Sequence, residues 1–169
     1  VELWEYKTGR RKPKDLSGNS AVEYGNRLEP ALRALYAAEH PEMIVDYHQY
    51  DILYQDDFLC ASATLDGDLF ETTTNRKGIL EIKTVQCTRR AVWLAWKDKV
   101  PQYYYVQCLG QLIATNWDFV DLFAHMRKMD GDSENRLYRF EREDHKKSIV
   151  WLKDGLWRFW RDNVVAGVK

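Results

Sequence analysis

The chain has 169 residues, of which 45% are hydrophobic and 30% are charged, and its formal net charge is -1. These proportions exclude a disordered or fibrous chain and predict a single globular domain over residues 1–169. No apolar run approaches the roughly 20 residues that span a bilayer, and no stretch resembles a secretion signal, so neither a membrane protein nor a secreted one is expected.

Helices are predicted where apolar residues recur at intervals of three and four. In the first of them, Leu28, Leu32 and Leu35 form the apolar stripe, and Pro41 ends the helix. The predicted helices cover residues 19–40, 88–97, 102–115 and 147–164. In the last helix, four apolar residues are expected to face the core: Val150, Leu156, Trp157 and Trp160.

Strands are predicted where apolar and polar residues alternate between the helices. Gly67 and Gly78 are interpreted as turns on either side of one short strand. The resulting order is a helix, several strands, two helices, two strands and a helix, which predicts an α/β fold with a mixed sheet flanked by helices. The predicted strands lie within residues 43–70, 78–84, 119–126 and 136–142.

The cysteines carry little functional information. Cys60, Cys87 and Cys108 are far apart, and no C-x-x-C pair is present. An odd number of cysteines at such spacing argues against a disulfide framework and against a zinc or iron–sulfur site. Buried free thiols in a reducing cytoplasm are therefore expected.

The sharpest chemical pattern is Asp66-Gly67 followed by Glu81-Ile82-Lys83. In a strand, Glu81 and Lys83 share one face while Ile82 points to the core, and an Asp ending a neighbouring strand could lie beside Glu81. Two carboxylates and a backbone carbonyl are the ligands that Mg²⁺ prefers, and an adjacent lysine can orient or deprotonate a water. The pattern suits metal-assisted phosphodiester hydrolysis, although alternating Glu and Lys is equally ordinary on a solvent-facing strand.

Two helical features have both a functional and an ordinary interpretation. Glu29, in the first helix, either supports the carboxylate site or pairs with Arg33 one turn later. A polar stripe on the helix 102–115 either holds a metal-site carboxylate or a DNA phosphate, or is a solvated helix face. The stripe consists of Tyr104, Gln107 and Gln111.

Charge is locally unbalanced around the carboxylate pattern. From Arg76 to Lys99 the chain has seven basic residues and two acidic ones, a local net charge of +5, which is what a polyphosphate substrate needs. Trp93 and Trp96, one turn apart, are expected to share a buried face. The residues predicted to contact DNA are Arg76, Lys77, Arg89 and Arg90.

Six short motifs occur in order along nearly the whole chain. They are Glu2-Leu3-Trp4 with Lys7-Thr8-Gly9, Gly25-x3-Glu29-Pro30, Ala63-Thr64-Leu65-Asp66-Gly67, Leu80-Glu81-Ile82-Lys83-Thr84, Val100-Pro101-x-Tyr103-Tyr104-Tyr105-x-Gln107 and Phe159-Trp160. Together they resemble the phage lambda exonuclease family, the YqaJ-like viral recombinases of the PD-(D/E)XK nuclease superfamily.

The resemblance implies a restriction-endonuclease-like fold, a mixed β-sheet flanked by helices, and a set of site residues. Asp66, Glu81 and the carbonyl of Ile82 would bind Mg²⁺, for which Mn²⁺ can substitute, and Glu29 would support the metal site as a further ligand. Lys83 would serve the nucleophilic water. The residues implied to brace this constellation are Tyr104 and Gln107.

The resemblance also implies an activity and partners. Family members degrade one strand of linear double-stranded DNA from its 5′ end, several assemble as ring-shaped trimers, and they act beside a single-strand annealing protein in recombination. The cell would be a bacterium or a phage-infected host. This chain departs from the family pattern in two places. Leu65 replaces the family's proline before the motif Asp. The family's upstream Arg and Ser-Asp turn would precede Glu2, so an N-terminal part of the family domain is expected to be missing.

Three other interpretations stay open at this stage. The same fold could act as an endonuclease or structure-specific nuclease, or as a CRISPR-associated nuclease, although the latter needs four cluster cysteines. A catalytically silent DNA-binding module has no chemical need for Asp66, Glu81 and Lys83 together. A generic α/β domain would make six ordered motifs accidental.

Overall fold

The computed structural model describes residues 2–169, whose helices lie on both faces of a central sheet. Among these residues, no helix is both long and apolar enough to cross a membrane. A single 3-10 turn, Glu143–His145, precedes the last α-helix, and a π-helical turn, Trp160–Val165, follows it. The α-helices are α1 (Glu2–Lys7), α2 (Ser20–Glu39), α3 (Arg90–Ala95), α4 (Gln102–Thr115) and α5 (Lys146–Phe159).

The strands form one five-stranded sheet and a separate two-stranded hairpin, β2–β3. The large sheet has the order β1-β4-β5-β6-β7, with β5 and β6 parallel and the other neighbours antiparallel. This mixed sheet flanked by helices confirms the predicted fold class. The strands are β1 (Met43–Asp46), β2 (Leu53–Gln55), β3 (Phe58–Ala63), β4 (Gly67–Glu71), β5 (Arg76–Cys87), β6 (Phe119–Lys128) and β7 (Ser133–Glu141).

The two faces of β5 serve different layers, because successive side chains of a strand point in opposite directions. Leu80 and Ile82 pack in a hydrophobic cluster with Leu32 and Tyr36 of α2. Ile79 points the other way, into the larger cluster that holds α4 and α5. The crossover from β5 to β6 runs through α3 and α4, since parallel neighbours require a long connection. Residues after Leu80 on β5 therefore alternate between an α2 side and an α4 side.

Helix α2 confirms the predicted first helix, but one residue predicted for its buried face is exposed. The side chain of Asn19 caps it by accepting hydrogen bonds from the first-turn amides. Leu32 and Tyr36 are buried, whereas Leu35, predicted to belong to the apolar stripe, is 38% exposed. The buried stripe runs through residues spaced by four, from Leu28 to Leu32 to Tyr36.

The buried face of α5 also differs from the prediction. Val150 and Trp157, expected to face the core, are 61% and 48% exposed. Leu156 packs against the core as predicted, and the other core contacts of the helix come from Ile149 and Leu152, so that the three residues are spaced by three and four along the face toward α4. Since apolar residues lie all around this helix, the sequence alone left more than one stripe available.

Gly78 does not mark a turn but lies inside the continuous strand β5. A Cβ atom at this position would lie 2.2 Å from the ring of Phe119 on the neighbouring strand. A glycine in a strand interior therefore permits close packing here, as such glycines often do. The turn between β4 and β5 is made by residues 72–75 instead.

The α3 region is shorter than the predicted helix, and its two tryptophans have different environments. Trp96 is buried, as expected, and packs against Tyr104. Trp93 is only half-buried, and the cations of Lys128 and Arg136 lie over its ring at 4.8 and 4.1 Å. The expectation that both rings share one buried face is therefore wrong for Trp93.

A network of ion pairs and hydrogen bonds lies on the α2 side of the sheet. The Tyr36 hydroxyl donates to the buried Asp121 carboxylate at 2.5 Å, and Arg139 donates both to Asp121 at 2.7 Å and to Glu71 at 2.9 Å. Arg76 pairs with Glu71 at 2.8 Å. Each buried charge thus has an opposite partner, as burial requires. Hydrogen bonds from Thr74, Arg76 and Arg139 lower the pKa of Glu71 to about 2.

We expect Glu71→Gln to lower the free energy of unfolding at pH 7 by about 2 kcal/mol, because it leaves two arginines short of a buried anion. The pKa of Glu71 is lowered in the folded protein, so its stabilisation is complete above pH 4.5 and is lost as the pH falls toward 2. Urea unfolding at several pH values measures this. The gap between wild type and variant should narrow in acid, and a pH-independent gap would contradict the assignment.

Candidate active site

Antiparallel pairing of β4 with β5 brings Asp66 to Glu81 and Ile82. Asp66 directly precedes β4, whose first residue, Gly67, lies opposite Leu80. The Asp66 carboxylate accepts a hydrogen bond of 2.7 Å from the backbone N–H of Ile82. The two halves of the acidic pattern therefore meet at one edge of β5, just before β4 begins.

Glu81 is buried, with 2% of its surface exposed, and three side chains bind its carboxylate. Gln107 of α4 donates to one oxygen at 2.6 Å, and Gln111 donates to the other. The ammonium of Lys83 forms an ion pair with the oxygen that Gln107 binds. Two residues of the polar stripe of α4, Gln107 and Gln111, thus hold a carboxylate, although Gln107 is also exposed to solvent.

The pKa of the Asp66 carboxyl reflects its burial close to other carboxylates. Burial, then repulsion by Glu81, raises its pKa to about 7, and Glu29 adds to the effect. The hydrogen bond from Ile82 and the charge of Lys83 oppose the shift without cancelling it. Two buried carboxylates this close together are more stable with a bound cation or proton than as two unpaired anions.

Tyr104 forms a wall beside Lys83. The Lys83 ammonium lies 5.4 Å from the centre of the Tyr104 ring, which packs on Trp96 with ring centres 5.1 Å apart. Burial raises the pKa of Tyr104 to about 12, so its hydroxyl stays protonated at neutral pH. The contact of Tyr104 is with the lysine rather than with a carboxylate.

Glu29 reaches the site through Arg33. The Arg33 guanidinium pairs with Glu29 at 2.6 Å and also donates to the backbone carbonyl of Asp66 at 2.5 Å. Glu29 therefore makes the ordinary one-turn pair, and the same pair anchors the loop that presents Asp66. Sequence reasoning considered Arg33 only as a partner of Glu29, and the single available signal for its second contact was its place in the helix that carries Glu29.

The donor set fits a hard divalent cation held by two carboxylates. Within residues 2–169, no three His, Cys, Asp or Glu side chains form a metal-binding group, so the structure does not bring Glu29 in as a third ligand. Mg²⁺ commonly takes only one or two carboxylates and keeps several waters. Among the described residues, the buried side-chain carbonyl oxygen of Gln111 has no hydrogen-bond partner, so one further acceptor lies beside Glu81.

The predicted DNA-contacting residues fall at opposite ends of β5. Arg76 is held by Glu71 and Glu141, the latter at 2.7 Å, and is part of the ionic network. Lys77 lies beside it, 5.8 Å from the ring of Trp117. Beyond the other end of the strand, Arg89 and Arg90 are exposed. They line a shallow cleft of about 330 Å³ together with Cys87, Trp93 and Lys128.

Comparisons with known proteins agree with the motifs. Residues 1–118 match the family described as YqaJ-like viral recombinase domain, which confirms the predicted resemblance; the Phe159-Trp160 motif lies beyond the matched residues. Comparison with curated protein sequences finds no significant match.

Two similar solved structures are of one alkaline exonuclease, LHK-Exo from Laribacter hongkongensis. The first has a TM-score of 0.65 at 18% identity and covers 98% of this chain and 79% of the other. The second, a complex with dAMP, has a TM-score of 0.60 at 20% identity and covers 94% and 75%. The alkaline exonuclease fold therefore extends over almost the whole chain.

We expect Asp66→Asn to raise the melting temperature of the metal-free protein at pH 8, because it removes one of two close buried like charges. Asparagine keeps an oxygen that can accept from Ile82. Mg²⁺ should raise the melting temperature of the wild type but not of the variant, since a ligand that binds only the folded state stabilises it. Thermal unfolding in EDTA and in Mg²⁺ measures both effects, and equal stabilisation of the two proteins by Mg²⁺ would refute the site.

Proposed function

Because the chain belongs to the YqaJ-like viral recombinase domain family, we propose that it is a metal-dependent deoxyribonuclease that degrades one strand of linear double-stranded DNA during recombination. The observation that carries this proposal is the meeting of Asp66, Glu81 and Lys83 at one sheet edge. The fold similarity to an alkaline exonuclease supports it.

The metal proposed is Mg²⁺, with Mn²⁺ as a substitute, held by Asp66, Glu81 and the carbonyl of Ile82. When bound, the ion would polarise the scissile phosphate and lower the pKa of a bound water. Gln107 and Gln111 hold the Glu81 carboxylate in one orientation by donating to its two oxygens. Arg33 fixes the backbone of Asp66, so both carboxylates are positioned before substrate arrives.

Lys83 is the proposed group for the attacking water. Its ammonium lies against Glu81 on the α4 side of β5 and against the ring of Tyr104, so its position is fixed. From there it can orient a water by hydrogen bonding, take up a proton once deprotonated, or offset negative charge on the phosphate.

DNA is the proposed substrate, and Arg89 and Arg90 are its proposed contacts. Both are exposed, and among the described residues neither forms a salt bridge. Lys128 and Trp93 line the same cleft and add a cation and an aromatic surface. The 5′-to-3′ direction, the ring-shaped trimer and the single-strand annealing partner are proposed from the family resemblance.

Linear duplexes labelled at either end, with and without a 5′ phosphate, test the activity in Mg²⁺. Release of label from the 5′ end and an intact opposite strand are expected. Circular duplex incubated in parallel should stay uncut. Cutting of the circle would favour the endonuclease alternative, and no cutting of any substrate would favour the silent DNA-binding module.

We expect Lys83→Ala to reduce the rate of DNA hydrolysis by at least about 100-fold, the usual contribution of a group that handles the proton or the water. DNA affinity measured in EDTA should change little, since the residue acts on the reacting groups. Lys146→Ala is the matched control, because Lys146 is an exposed lysine that pairs with Glu143 on a distant surface. An unchanged rate for Lys83→Ala would refute the assigned role.

A further inference from the structure

A second cleft lies on the other side of β5 from Lys83. Its volume is about 490 Å³, and it separates the first turns of α2 from the ends of β5 and β6. Thr84 lines it, and since Thr84 follows Lys83 in a strand, the two side chains point to opposite faces. Gly25 brings α2 close to the strand here, because a Cβ atom on it would lie 3.3 Å from the Thr84 hydroxyl.

The cleft and the candidate active site flank the same free strand edge. The pairing of β4 with β5 ends at Gly67 and Leu80. Beyond that point, β5 is paired only with β6 among the described strands. The candidate active site and the cleft therefore lie on the two faces of β5 beside the same unpaired edge.

The lining of the cleft is basic and polar. Arg27 and Arg127 are both exposed, and within residues 2–169 neither forms a salt bridge with an acidic side chain. Arg127 lies over the ring of Tyr24 at 5.2 Å, which holds its guanidinium at the cleft. By contrast, Arg139 on the same face of the sheet is fully paired. The polar lining residues are Ser20, Tyr24, Arg27, Thr84, Gln86, His125 and Arg127.

His125 is the other residue of β6 that lines the cleft. Its Nδ1 lies 2.9 Å from the Asn135 side-chain oxygen, a contact that holds the ring in place. The ring lines the cleft between Thr84 and Arg127, and no acidic residue lines it. Two arginines, an imidazole and hydroxyl donors without a carboxylate are suited to a phosphate-bearing ligand.

We propose that this cleft binds backbone phosphates of the DNA strand that passes the free edge of β5, next to the scissile phosphate. This inference rests on the proposed nuclease function and adds a second binding subsite to it. Guanidinium and hydroxyl groups contact phosphate without reading bases, so the contact is independent of sequence. Arg27 and Arg127 are its main ligands.

Binding measured without hydrolysis tests the subsite. The anisotropy of a fluorescent linear duplex is recorded in EDTA from about 50 to 200 mM salt, for wild type and for Arg27→Gln, Arg127→Gln and the double variant. Each single change should weaken binding severalfold and reduce the slope of log affinity against log salt by about 0.7 to 0.9. The double variant should lose about twice that slope.

Two further variants separate phosphate contact from other effects. Arg127→Lys keeps the charge and should retain most of the salt slope. A loss as large as that of Arg127→Gln would assign the effect to packing on Tyr24 and refute Arg127 as a phosphate ligand. Arg158→Gln removes an equally exposed arginine from α5, on the other side of the sheet, and should bind as wild type. The subsite is refuted if the double variant keeps the wild-type affinity and slope, or if Arg158→Gln reduces the slope as much.

The nuclease proposal and the cleft can fail separately. A protein that binds DNA through Arg27 and Arg127 but cuts no duplex in Mg²⁺ would refute the nuclease and retain the subsite. A protein that cuts DNA while both variants bind normally would retain the nuclease and refute the subsite.

Discussion

The rest of the site depends on the burial of two carboxylates, those of Asp66 and Glu81, beside each other at one edge of the sheet. Glu81 is buried because α4 supplies two amides that bind it, and Asp66 is drawn beside it by the N–H of Ile82. Burial and then repulsion by Glu81 raise the pKa of Asp66, so two ionised carboxylates in this place are electrostatically unfavourable. The divalent cation proposed for the site would relieve that repulsion, which connects the stability of these carboxylates to the proposed chemistry.

Three elements of the fold, the sheet, α4 and α2, hold the residues of the site in place. The sheet fixes Asp66 relative to Glu81 by strand register, α4 fixes the Glu81 carboxylate, and the Arg33 of α2 fixes the loop that carries Asp66. Sites held by helices and strands keep their geometry better than sites held by loops alone. Because β4 begins only at Gly67, the edge of β5 beyond Leu80 is left unpaired on this side, and the proposed DNA strand would approach there.

Much of this arrangement could be predicted locally. The strand period placed Glu81 and Lys83 on one face, and the helical period placed Gln107 on a polar stripe, because both depend only on near neighbours in sequence. The contact of Arg33 with the Asp66 backbone could not be predicted, since residues far apart in sequence meet only through the tertiary fold. Gly78 was misinterpreted as a turn for the same reason, because the ring that requires it comes from another strand.

The central claim, that Asp66 and Glu81 share one cation, is tested most directly by crystals soaked in Mn²⁺. An anomalous difference map should contain a strong peak in contact with carboxylate oxygens of both residues and with the carbonyl of Ile82. Ordered water should fill the remaining coordination positions, as hard divalent ions require. A map with no peak there, or with manganese bound only at other residues, would contradict the account.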